Sequence, residues 1–251
     1  MPGTTRRPGP PAAVEVVPLT AERWPDFQAL FAPNASANGC QCTWFFRLGT
    51  EFRAGVPEGN RAAIRARVDT GPPPGLLAYV DGTPAGWCAF GPREAYPRLE
   101  RSRLFPRPDT PGTWAIVCFF VATEFRGLRL MDRLIAEAVG RARAAGAGRV
   151  EAYPVTVPPR GRTDFGSGYH GFVGPFRRSG FRVVARPSKG RALVLRELVA
   201  PPIRASRVAG SASGRPGFRP TSSASRPMAS PGVRRGPRRR SRRSTRGTPA
   251  G

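Results

Sequence analysis

Hydrophobic and polar positions alternate along the chain between strand-like and helix-like spacing, and the order of those segments is the first clue to the fold. Residues 14–17 form a short β candidate, and Thr20 is placed to cap a helix running towards Phe31, with Pro25 delaying or distorting its first turn. Residues 58–68 predict a second helix, stopped by Gly71-Pro72-Pro73-Pro74. Two apolar runs, 75–80 and 84–90, flank the pair Asp81-Gly82 and predict a β-hairpin with a two- or three-residue turn. A Pro- and Arg-rich connection over 92–112 leads into 113–121, which is apolar without alternation, as expected of a strand buried on both faces.

Beyond residue 128 the period changes. Met131, Leu134, Ile135, Ala138, Val139 and Ala142 recur at three- and four-residue spacing and predict an amphipathic helix over 128–145, ended by Gly146 and Gly148. Residues 149–155 predict the next strand, and 172–179 a short helix with Gly174-Pro175 in its first turn and Gly180 as its stop. The last two strands fall at 181–185 and 192–198. Hairpins come first in this order, βααβββαβαββ, and a strand, helix, strand unit comes later. The expected class is therefore α+β, a mixed sheet with helices on both faces.

Composition limits how much of the chain can follow that pattern. All 16 acids of the 251 residues precede residue 198, whereas 13 arginines follow it, and the formal net charge is +25. Pro, Gly, Ser and Arg make up 37 of the 51 residues in 201–251, with Phe218 the only aromatic. Such a segment buries too little apolar surface to offset its ordering entropy, so a disordered tail is expected over 199–251. Residues 1–13, rich in Pro and Gly, are expected to be flexible, which leaves one domain over 14–198.

Several function classes fall away at this point. The longest apolar run, 114–122, is nine residues, far short of the roughly 20 a membrane helix needs. Arg6-Arg7 is followed by Pro8-Gly9-Pro10-Pro11 where a signal peptide would need an apolar stretch, so a cytoplasmic protein is expected. Four cysteines are too few for a disulfide scaffold and read as reduced thiols. Cys40, Cys42, Cys88 and Cys118 would in principle make a four-thiolate zinc site, but the spacing lacks a C-x-x-C knuckle and no metal is expected.

The informative junction is Val121-Ala122-Thr123-Glu124-Phe125-Arg126-Gly127-Leu128-Arg129-Leu130-Met131, where a buried strand turns into the long helix. Unsatisfied amides and the positive end of a helix dipole there suit a phosphate or pyrophosphate, and Gly127 would allow close approach of the backbone. A loop with exposed arginines is the alternative reading of the same residues.

Element order and motifs together point to a family. Residues 14–198 resemble the GNAT superfamily of N-acetyltransferases: 121–127 looks like its strand ending and pyrophosphate loop, and Phe176-Arg177-Arg178-Ser179-Gly180-Phe181 like its penultimate helix running into a strand. The stretches 39–44, 86–90, 117–121 and 150–155 resemble an actinobacterial-type branch. The resemblance implies a mostly antiparallel sheet of about six or seven strands. It implies acetyl-CoA as co-substrate, with the pantetheine arm along the strand at Phe119 and Val121 and the pyrophosphate on amides of Arg126, Gly127, Leu128, Arg129, Leu130 and Met131. The acceptor would be a primary amine on a small molecule or peptide. Three positions depart from the family pattern. Arg129 and Met131 stand where its loop carries small residues, and Phe176 stands where many members carry a proton-donating Tyr.

For the chemistry itself, Glu151 is the candidate base, since a carboxylate in an apolar strand calls for a polar cleft, with a sheet-surface or ion-paired Glu as the alternative. Tyr153, on the same face, is the candidate proton donor in place of Phe176, or a packed core Tyr. His170, the only histidine, lies between Tyr169 and Gly171 in a loop that would line the substrate side, or is an ordinary surface residue. Trp44-Phe45-Phe46 reads as acceptor pocket or core. The arginine clusters within 234–246 are suited to non-specific nucleic-acid contact, or form a solvated tail with no selected role.

Overall fold

The computed structural model describes residues 13–102, 105, 111–156 and 165–198. The expected tail over 199–251, its basic stretch 234–246 and residues 1–12 lie outside the described residues.

Seven strands form one sheet: β1 (Val14–Pro18), β2 (Gly75–Val80), β3 (Thr83–Pro92), β4 (Thr113–Val121), β5 (Arg149–Ala152), β6 (Arg182–Ser188) and β7 (Arg191–Glu197). Their spatial order is β1-β2-β3-β4-β5-β7-β6, and only β4 and β5 run parallel. Asp81 and Gly82 both have positive φ, 46° and 77°, the geometry in which a two-residue turn matches the twist of its flanking strands. The Asp81 carboxylate also accepts the amide of Ala13 at 3.1 Å, which ties the start of β1 to that turn.

The helices are α1 (Trp24–Phe31), α2 (Ala35–Cys40), α3 (Gly49–Ala54), α4 (Glu58–Thr70), α5 (Pro97–Arg101), α6 (Leu130–Ala144) and α7 (Val173–Arg178). Pro25 sits in the first turn of α1, where a missing N–H costs nothing. The apolar pattern misses α2, α3 and α5, each of five or six residues, because they are too short to show a helical period. The sequence of α2, Ala-Ser-Ala-Asn-Gly-Cys, has little helix propensity; Asn34 caps it by accepting the Ala37 amide at 2.9 Å.

Two apolar layers enclose the sheet. On one face Phe27, Phe31, Trp87 and Phe120 pack together, with ring centroids 4.4 Å apart for Phe27 and Phe31 and 5.1 Å for Phe31 and Phe120. On the other, α6 lays Leu134, Ile135, Ala138, Val139 and Ala142 over Leu76, Ile116 and Val150. At about 1.5–3 kcal/mol per fully buried large side chain, this stripe is what holds α6 in place. β4 contributes to both layers, Phe120 to the first and Phe119 to the second, which accounts for its lack of alternation.

One strand ends earlier than its pattern predicts. β5 stops at Ala152 instead of 155, and its parallel register with β4 covers only Thr113–Ile116 against Arg149–Ala152. Pro154 has no N–H for the ladder. Its carbonyl accepts from Ala192 at 3.0 Å, and Val155 then donates to Gly171 at 2.9 Å, so the chain bends away from β4. From Val117 onward β4 has no strand partner on that side among the described residues.

Candidate active site

Two cavities meet at the unpaired end of β4 and share Ser36, Phe120 and Tyr169 in their walls. The first, of about 780 Å³, holds the strand-to-helix junction: Phe119, Val121, Arg126, Gly127, Arg129, Leu130 and Met131 all line it. Leu128 does not; it packs with Val80, Ala85 and Leu130 and pins the loop from behind. No side chain caps α6; the Asp132 amide donates to the Arg129 carbonyl at 3.0 Å, and Leu130 and Met131, which begin the helix, line the cavity. Gly127 has φ 88°, and a Cβ there would meet no atom within 4 Å, so the space above its backbone is clear.

Charge at this mouth is positive. Arg126, Arg129 and Arg178 line it with a single acid among the described residues, Asp132. Arg178 grips that acid through two hydrogen bonds of 2.9 and 3.1 Å, and Arg129 adds a third contact at 3.2 Å. Burial alone would raise the Asp132 carboxyl, but the guanidinium groups of Arg178 and Arg129 hold it below the usual range. Arg129 itself adopts φ 58°, ψ 28°, the left-handed region, with its side chain 68% exposed. The backbone at this position therefore favours the small residue that the family loop carries there.

Phe176 is fully buried, edge-on to Phe119 at 5.9 Å and to Phe181 at 5.1 Å. It serves the core beneath the cavity and lines neither opening.

The second cavity, of about 790 Å³, is apolar and aromatic within and cationic at its edge. Phe31, Phe45, Phe105 and Phe120 form its interior, and Trp44 lies beneath the Arg98 guanidinium, 3.7 Å from the ring centroid. Of the stretch 44–46, Trp44 and Phe45 line the cavity, while Phe46 packs under Arg67, 4.6 Å from its guanidinium. Cys40, Cys42 and Cys118 form a polarisable wall; the Cys42 and Cys118 sulfurs are 3.0 Å apart, and Cys42 accepts the Trp87 indole N–H at 3.0 Å. Burial pushes the Cys40 thiol up to about 11 and the Cys42 thiol well above its ordinary value, so both are protonated and unreactive at neutral pH.

His170 also lines this cavity. Its Nδ1 is 3.2 Å from the Val117 carbonyl, and a carbonyl only accepts, so Nδ1 carries the proton and Nε2 is left as an acceptor. Burial, reinforced by Arg191, pushes the imidazole down to about 4, and the ring is neutral under ordinary conditions. Tyr169, in the shared wall, donates its hydroxyl proton to Asn34 at 3.3 Å and stacks on Phe120 at 6.4 Å.

Glu151 and Tyr153 stand elsewhere. Glu151 is fully buried and paired with Arg93, whose Nη1 also donates to the Tyr153 hydroxyl at 2.8 Å. Tyr153 in turn donates to Glu151 at 3.1 Å. Arg93 extends further, to Glu100 at 2.8 Å and to the carbonyls of Leu99 and Phe105 at 3.3 and 3.2 Å. Burial pushes the Glu151 carboxyl up against the opposing pull of Arg93. Of the two readings of Glu151, the ion pair is the arrangement found: its partner is a guanidinium from the connection after β3, and neither Glu151 nor Tyr153 lines either cavity. The sequence gives no sign of this pair, because 58 residues separate its members.

The model of the acetyltransferase (GNAT) family matches residues 43–160, from the aromatic wall of the second cavity through α6 and β5. Over that segment the chain is similar to the GNAT acetyltransferase family. The seven-stranded mixed sheet with helices on both faces is the architecture the sequence pattern led us to expect. No curated protein matches the chain. Solved structures similar to this chain include a GCN5-related N-acetyltransferase from Kribbella flavida (19% identity, 74% of this chain and 98% of that one, TM-score 0.45). Others are the PaiA N-acetyltransferase of Thermoplasma acidophilum in complex with coenzyme A (12%, 74% and 99%, 0.44) and YncA of Salmonella typhimurium with acetyl-CoA (16%, 74% and 95%, 0.44). Among the described residues no helix is long and apolar enough to cross a membrane, and no group of three or more His, Cys, Asp or Glu is placed to hold a metal ion.

Proposed function

We propose that the chain is an N-acetyltransferase that moves an acetyl group from acetyl-CoA to a primary amine. The observation that carries this reading is the meeting of two cavities at the unpaired end of β4, one cationic at a helix N-terminus and one aromatic. The first fits a diphosphate: it has the N-terminus of α6 without a side-chain cap, cleared space over Gly127, and more cationic than anionic side chains. Arg126, Gly127, Leu128, Arg129, Leu130 and Met131 are the proposed diphosphate segment. The backbone at Phe119 and Val121 is proposed to face the pantetheine arm.

Bound acetyl-CoA supplies an activated thioester; over the whole reaction the acetyl group passes from sulfur to nitrogen, the amine loses a proton and coenzyme A leaves as the thiol. The protein's part is mostly positioning, because the thiolate is already a good leaving group. Amides at the end of β4 polarise a carbonyl placed there. Of the polar groups at the junction, neutral His170 presents an acceptor nitrogen for the amine proton, and Tyr169 has a hydroxyl to donate. Glu151 and Tyr153, proposed from the sequence as base and acid, are better read as anchors that tie segment 93–105 to β5 through Arg93.

Thermal denaturation with increasing acetyl-CoA tests the reading. Saturation at about a hundred times the dissociation constant should add about 2.7 kcal/mol of stability and raise the midpoint. No shift at millimolar acetyl-CoA overturns the proposal.

A further inference from the structure

The second cavity carries a statement about the acceptor that likeness to the GNAT family does not, and it rests on the acetyltransferase reading above. Its interior is built from rings, with Phe31, Phe45, Phe105 and Phe120 facing the space. Three guanidinium groups, Arg98, Arg101 and Arg191, complete the lining, and no carboxylate does so among the described residues. A volume of about 790 Å³ is in the range of sites that enclose a small organic molecule.

The three arginines are not equivalent. Arg98 is committed: it bonds the carbonyls of Trp44 and Arg47 and stacks on the Trp44 ring. Arg101 is exposed at the rim. Arg191 is half-buried at the start of β7, donates to the Tyr153 carbonyl at 3.2 Å, and has no carboxylate partner among the described residues. Removal from water disfavours its charge, and no acid among the described residues compensates. A half-buried guanidinium without a counter-charge, beside an aromatic cavity, is a binding group for an anion on an apolar ligand.

Polycationic amines, such as polyamines and aminoglycosides, have the wrong charge for this lining. Each extra ammonium would be desolvated beside three guanidinium groups with no carboxylate to receive it. A plain aromatic amine would fill the rings and leave Arg191 unpaired. An amine that carries both a ring and a carboxylate satisfies both features.

We infer that the acceptor is an amphoteric aromatic amine of the aromatic amino acid type, its ring held by Phe31, Phe45, Phe105 and Phe120 and its carboxylate by Arg191. The neutral His170 imidazole, which lines the same cavity, adds no further positive charge against the amine.

Steady-state acetylation by the full chain of L-tryptophan, tryptamine and spermidine tests the inference, with acetyl-CoA binding measured calorimetrically on the same preparation. L-Tryptophan should exceed tryptamine in kcat/KM by about tenfold or more, the effect of one charge-assisted pair, and spermidine should not react. Arg191→Gln, which keeps a donor for the Tyr153 carbonyl, should erase the preference by raising KM for L-tryptophan while KM for tryptamine stays put. Intact acetyl-CoA binding by that variant shows that it is folded, and Arg101→Gln, at the rim, should keep the preference. Equal rates for L-tryptophan and tryptamine, or a preference for spermidine, with acetyl-CoA binding intact, overturn the acceptor class alone. Failure of the unaltered chain to bind acetyl-CoA overturns the acetyltransferase reading instead.

Discussion

His170 allows the electrostatics of the second cavity to be read in isolation, because it is the only histidine in the chain. Burial lowers its pKa from 6.5 to about 4 in the folded protein. The unfolded chain takes up a proton below its ordinary pKa while the folded protein does not, so stability is fully present above that value and is lost as the pH falls towards the folded one. With these two values, lowering the pH from about 7.5 to about 5 should remove about 2 kcal/mol of stability through this group alone. His170→Gln keeps an N–H for the Val117 carbonyl and cannot titrate, and every carboxyl group is common to both proteins. Urea denaturation of the two at both pH values isolates the imidazole contribution as the difference between their pH-dependent losses. An NMR titration of the single imidazole gives its folded midpoint directly. Equal losses in the two proteins, or a midpoint near 6.5, would refute the claim that the cavity holds this ring desolvated and neutral.

Arg129→Gly should stabilise the fold and tighten acetyl-CoA binding. Relief of a left-handed backbone is worth about 1 kcal/mol, against a few tenths for the exposed pair with Asp132, so the thermal midpoint should rise by about 1–3 °C. Equal or weaker binding by calorimetry would show that the arginine charge matters more than the backbone. Arg93→Met leaves Glu151 buried without its cation and should cost about 3–5 kcal/mol in urea denaturation, whereas Arg93→Met with Glu151→Leu should recover much of the loss. A single variant as stable as the parent would mean that the pair contributes nothing to holding segment 93–105. Deletion after Leu198 should abolish salt-sensitive DNA retention and leave acetyl-CoA binding intact; DNA retention by the shortened chain would assign it to the folded domain.

How much of this was legible in the sequence follows from the range over which each feature is encoded. The Asp81-Gly82 hairpin, the doubly buried β4 and the stripe of α6 are local patterns, set by turn chemistry and by a period of two or 3.6 residues, and the structure has each of them. The strand-to-helix turn was readable for the same reason: a strand, a loop with Gly127 and a helix start are contiguous, and all but Leu128 of the residues we propose for the cofactor line one cavity. The short helices α2, α3 and α5 were not readable, since one turn or so of helix shows no period and is stabilised by caps and contacts from elsewhere.

Glu151 marks the boundary between the two kinds of information. Its strand and its burial follow from neighbours in sequence, but a buried carboxylate is equally consistent with a cleft and with an ion pair, and the choice lies with Arg93, 58 residues away. The second cavity is of the same kind: Phe31, Phe45, Phe105, Phe120, His170 and Arg191 come from six separate segments. By itself the sequence determined the longer elements, their order and the strand-to-helix turn at Gly127, because those depend on residues close together in the chain. Tertiary structure alone decided which charges are paired, which are left open and what the second cavity can hold, because a charge takes its meaning from whatever the folded chain brings within a few ångströms of it.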